Sequence, residues 1–133
     1  MSIAAIRAGL GANLSTIRGL RVAETIPDQV NPPVAVVSLT TVDYDGALSG
    51  GLTTYNFTLT VIVGRMSERT AQRTLDAYIT PGVGSIKTAV QSDRTLGGSA
   101  FDCRVESLTS YGSVTIGEVT YLAADFAVTV YGN

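Results

Sequence analysis

Residues 53–64 read TTYNFTLTVIVG, and the alternation within them decides the fold. Tyr55, Phe57, Leu59, Val61 and Val63 take every second position, with Thr54, Asn56, Thr58 and Thr60 between them. A strand sends successive side chains to opposite faces, so the segment predicts a β-strand with one apolar and one hydroxyl-rich face. The preceding run, 34–42 (VAVVSLTTV), is β-branched and predicts a second strand. Between them, 43–51 (DYDGALSGG) is turn-rich and longer than a tight connection needs. The pair therefore reads as an antiparallel hairpin with a long tip.

On the N-terminal side, Ser2 is a suitable N-cap for a helix whose Ile3, Ile6, Leu10, Leu14 and Ile17 recur at steps of three and four. Gly9 and Gly11 each weaken such a helix by roughly 1 kcal/mol relative to alanine, so it has to rely on packing, and Gly19 is a suitable stop. A connector, 20–33, ends in Asn31-Pro32-Pro33, which favours extended chain.

On the C-terminal side, Ser67 is expected to cap a helix over 68–79, with Glu68 in its first turn and Ala71, Leu75, Tyr78 and Ile79 facing inward. Pro81-Gly82-Val83-Gly84 interrupts the chain, and Ser85 caps a short third helix that turns Ile86, Ala89 and Val90 inward. After Gly97-Gly98 comes a strand in which Phe101, Cys103 and Val105 alternate with Asp102, Arg104 and Glu106. Residues 111–117 suggest a short ribbon with a turn or bulge at Gly112 and Gly117. The last strand, 118–131, aligns Leu122, Ala124, Phe126, Val128 and Val130 on one face. Helix, hairpin, two helices, hairpin predicts one α+β domain over 1–133. Its single antiparallel or mixed sheet has about four strands, with two to three helices on one face.

The 133 residues are 45% hydrophobic and only 15% charged, well below the ~25% charge of ordinary domains. Mean hydropathy is +0.28. Apolar surface therefore stays exposed on a single copy and marks an interface. Nine basic and eleven acidic residues give a net charge of −2 with no Lys/Arg run, which argues against tight nucleic-acid binding. No segment approaches the roughly 20 apolar residues of a membrane span, and the N-terminal run is a poor signal peptide. These features predict a soluble protein made in the cytoplasm.

Chemistry is sparse. The chain has no histidine and one cysteine, which excludes His-based triads, Cys-His nucleophiles, Cys clusters and an intrachain disulfide. Alternation puts Cys103 among apolar neighbours, where a thiol is inert. Nucleotide and hydrolase fingerprints are absent from the sequence. Asp43 and Asp45 open like a calcium loop, yet no glutamate follows at the required spacing. Asp125 interrupts an apolar strand on the face opposite Phe126 and Val128, a solvated or interfacial position. No catalytic, cofactor or metal residues emerge, and the chain does not read as an enzyme. Interface candidates do emerge. Asp43, Tyr44, Asp45 and Leu48 lie in the hairpin tip, and Tyr111 at a strand end. Arg65, Arg69 and Arg73 follow i, i+4, i+8 spacing and read either as a solvated face of the second helix or as a basic ridge meeting an acidic neighbouring subunit, with Asp76 able to pair with Arg73.

The run 71–131 resembles the second half of tail terminator proteins from long-tailed actinobacterial phages. The likeness rests on Leu75-Asp76-x-Tyr78, Gly84-Ser85-Ile86-Lys87, Asp93-x-x-Leu96-Gly97-Gly98 and Tyr121-Leu122-x-Ala124-x-Phe126-x-Val128. The first half agrees only in pattern. The resemblance implies a virion neck protein that forms a six-fold ring at the head-proximal end of the tail tube. Such a ring ends tube polymerisation, presents a surface to the head connector or stopper protein, and leaves a lumen for DNA. It implies no cofactor and no membrane, with assembly in the host cytoplasm. The loop 43–51 is the candidate for reaching a neighbouring subunit or the tube. Another neck component or a tube subunit is the alternative within this class. A small ligand-binding or enzymatic domain is the alternative outside it.

Overall fold

The computed structural model describes residues 2–23, 30–44 and 52–132. Helix α1 (Ile3–Leu14) starts where expected, with the Ser2 hydroxyl accepting from the Ala5 amide at 3.0 Å. Further turns carry the chain to Gly19, whose φ of +86° suits glycine. A short strand, β1 (Arg21–Ala23), then lies parallel to the start of β2 (Val34–Asp43). β2 pairs antiparallel with β3 (Thr53–Arg65), with a bulge at Thr40. Helices α2 (Ala71–Ile79) and α3 (Ile86–Val90) and a 3-10 turn (Leu96–Gly98) follow. β4 (Asp102–Ile116) and β5 (Val119–Gly132) close the chain as a long hairpin around Gly117 (φ +64°) and Glu118.

The strand order is β1-β2-β3-β5-β4. The architecture is the expected α+β arrangement, with a mixed sheet of five strands instead of about four. β5 inserts between β3 and β4, and β3, the cleanest strand of the sequence, lies at the centre of the sheet.

One face of that sheet carries the core. Phe57, Leu59, Val61, Phe126, Val128 and Val130 are buried against Ile6, Leu10 and Leu14 of α1, Leu75 of α2 and Ile86 and Val90 of α3. Gly9 belongs to this packing: a Cβ there would sit 2.6 Å from Leu96 Cβ, so the missing side chain lets the 3-10 turn close on α1. Leu96 is buried with a φ of +53°, uncommon for a side-chain-bearing residue. Its turn is tied by Asp93, whose carboxylate accepts from the Thr95 hydroxyl and amide and from the Gly97 amide. Those bonds hold the Asp93 carboxyl below its ordinary pKa. The opposite face carries a line of hydroxyls and amides. At one end of it a small cluster of Val34, Ile62, Tyr121 and Ala123 is also buried.

Three local readings change. The second helix begins at Ala71 after Thr70, instead of at residue 68 after Ser67. The Met66 amide donates to the Thr120 carbonyl, so strand pairing holds the chain past Arg65 and a turn at Glu68 intervenes. Phe101 is 53% exposed and Ala100 takes the inward place, because β4 starts only at Asp102. The expected separate ribbon over 111–117 is the end of one continuous β4, and its bulges come earlier, between Val105 and Ser107 and between Leu108 and Ser110.

Candidate functional interface

Cys103 is fully buried among apolar side chains, its thiol 3.6 Å from the Val90 carbonyl. Burial, and secondarily the charge of Asp102, push the thiol up to about 11. A thiol held protonated at neutral pH is a core side chain, not a nucleophile.

Among the described residues, no group of three or more Cys, Asp or Glu side chains is placed to hold a metal ion. Asp43 accepts from the Asn56 amide at 2.9 Å, which ties the end of β2 to the start of β3. Asp45 and Leu48, named from the sequence, lie outside the described residues. Asp125 sits half-buried on the helix-free face, directly opposite Thr60, and accepts from its hydroxyl at 2.7 Å. A shallow groove of about 260 Å³ runs beside this pair, lined also by Ser110, Gly112 and Ser113.

The arginines do not form a helical ridge. Arg65 ends β3 opposite Tyr121, Arg69 lies in the turn, and only Arg73 is on α2. Their spacing imitates a helix that starts too late to contain it. Among the described residues the ion pairs are Arg94–Asp102 and Arg104–Glu106, so Arg65, Arg69 and Arg73 face solvent without an anionic partner. Asp76 is engaged elsewhere: it accepts from the Tyr111 hydroxyl at 3.2 Å. Partial desolvation and the neighbouring Asp76 carboxylate both raise the Tyr111 phenol above its ordinary pKa.

That contact joins α2 to β4 and builds one side of a second groove, of about 390 Å³, lined by Met66, Glu68, Arg69, Ala71, Gln72, Tyr111 and Leu122. Its floor is apolar and its rim polar. Met66 is 52% and Tyr111 42% exposed, large apolar side chains of the kind that anchor contacts. Spacing pointed to Arg69 and a strand-end position to Tyr111, and the strand order is what brings them together. Met66 was missed, since a lone methionine after a strand carries no pattern of its own.

The other sequence candidates lie elsewhere. Asp43 and Tyr44 sit where β2 ends, with Asp43 paired to Thr54 at the start of β3. Tyr44 is 76% exposed. In the first half of β4, by contrast, two edge amides are already engaged: the Gln91 side chain accepts from the Val105 amide and Asp102 accepts from the Cys103 amide. No protein-family model matches the chain, and no curated protein matches it.

Proposed function

We propose that this chain is a structural ring protein of a phage tail, ending the tail tube at its head-proximal side and joining it to the head connector while DNA passes through. The observation that carries this reading is the resemblance of residues 71–131 to tail terminators. In the fold, many residues of that likeness set the architecture. Leu75, Ile86, Leu96, Leu122, Phe126 and Val128 are buried, Ser85 caps α3, and Gly97 and Gly98 take positive φ. The likeness is therefore one of framework, and the surface chemistry agrees with it. Low charge and exposed Tyr44, Met66, Leu108 and Tyr111 suit a protein that works by fitting against neighbours. A head-to-tail contact around a rotation axis closes into a ring and buries a different patch on each side of a subunit. Six copies at −2 total about −12, a mildly repulsive wall along which DNA slides without sticking.

The test is the mass of the purified protein, alone and mixed with tail tubes, together with electron microscopy of the mixture. Single closed rings, free or seated on tube ends, are the expected result. Long cylinders from the protein alone would transfer it to the tube-subunit reading. A single chain that neither assembles nor binds tubes would refute the proposal.

A further inference from the structure

We propose that the groove between α2 and β4 receives Tyr44 and Asp43 of a second copy, forming the head-to-tail contact of the ring. This rests on the ring reading above and adds the residues that make the joint. The first argument is distance. Tyr44 follows β2 at the start of β3, and the groove lies toward the end of β3, which is 13 residues long. At about 3.3 Å per residue the two ends are roughly 40 Å apart, so they meet only between copies.

The second argument is charge. Arg69 lines the groove and Arg73 follows the groove-lining Gln72 on α2, both without an anionic partner among the described residues. The carboxylates nearby are Glu68, on the groove, and Asp76, which already accepts from Tyr111. At the other end of the sheet Asp43 has an amide partner and no cation among the described residues, while Arg94 and Asp102 neutralise each other. Each copy thus presents an unmatched carboxylate at one end and unmatched guanidinium groups at the other, complementary in a heterologous contact and repulsive in a two-fold one.

The third argument is shape and side-chain chemistry. Tyr44 is the most exposed tyrosine of the chain, and Met66, Ala71, Leu122 and Tyr111 of the groove offer it apolar area. A thioether and an aromatic ring both pack well on an inserted phenol, and Arg69 can stack on its face. One aromatic anchor in an apolar groove, beside a charge pair, is the composition of an interface hot spot.

The experiment is sedimentation velocity across a concentration series, on the wild-type chain and on Tyr44→Ala, Arg69→Glu, Asp43→Arg and the exchanged double variant Asp43→Arg/Arg69→Asp. Circular dichroism and thermal melts check that each is folded. Tyr44→Ala and Arg69→Glu are expected to raise the concentration needed for assembly by at least about tenfold, roughly the loss of one hot-spot contact. The exchanged variant should recover part of what Asp43→Arg loses, and added salt should weaken the wild type. Val83→Ser, a change at an exposed apolar residue in the loop between α2 and α3, should leave assembly unchanged. Wild-type assembly in both single variants overturns the docking while leaving the ring reading standing. Rings that form normally but no longer seat on tubes overturn it too, and assign the groove to the tube. A wild-type chain that stays single at every concentration and on tubes overturns both.

Discussion

On one face of the sheet, Phe57, Leu59, Phe126 and Val128 are buried beneath three helices; on the other, the intervening Thr58, Thr60 and Asp125 are half-buried with no helix above them. The same strands build both faces, one residue out of phase. The covered face removes apolar area from water and supplies most of the stability. The bare face satisfies its own polar groups across strands. Thr40 and Thr58 bond at 2.7 Å, Asn56 donates to Thr41 and Asp43, and Thr60 donates to Asp125. A self-satisfied surface needs no cover to be stable, so it can stay wet. The contrast shows which changes should unfold the chain and which should alter only its surface.

The contrast predicts its largest effect at Phe57. Phe57→Ala removes a ring that is almost wholly buried at the centre of the covered face, and should cost about 3–5 kcal/mol in a denaturant titration. A loss below about 1 kcal/mol would mean that the covered face is not the core. A narrower test separates two glycines on α1. Gly9→Ala gains helix propensity but drives a Cβ to 2.6 Å from Leu96 Cβ and 3.1 Å from the Leu96 carbonyl oxygen. Overpacking of that kind costs about 1–3 kcal/mol, more than the roughly 1 kcal/mol gained. At Gly11 the nearest side-chain atom to a new Cβ is Val22 Cγ1 at 3.4 Å. Gly11→Ala should therefore stabilise the chain, and melting both variants checks the opposite signs.

The faces of β3 were legible because alternation over a dozen residues is a local property of the chain. The same is true of α1 and α3, whose capping serines accept the expected amide bonds. What failed depended on partners distant in sequence. β1 is three residues long and exists only because Val34–Val36 lie alongside it. The start of α2 moved because Thr120, far along the chain, holds the Met66 amide. The arginine spacing was real as a sequence period and had no helix to express it. In the same way, Tyr111 and Arg69 reach one groove through the insertion of β5 between β3 and β4, an order that no local pattern encodes.

The smallest effect belongs to the bare face. Asp125 accepts one short bond from Thr60, its direct cross-strand neighbour, beside an open groove. Solvent replaces that bond when the carboxylate is removed, so Asp125→Ala should cost no more than about 1.5 kcal/mol, the net value of an ordinary hydrogen bond. Thr60→Val should cost a similar amount, and the double variant less than the sum, because both single changes delete the same contact. A denaturant double-mutant cycle measures all three. If Asp125→Ala instead costs as much as Phe57→Ala, the bare face behaves as a second core and the distinction between the faces fails. A small loss in the isolated chain paired with a large loss in assembled rings has a different meaning. It would place this hydroxyl-rich face against another subunit instead of against water.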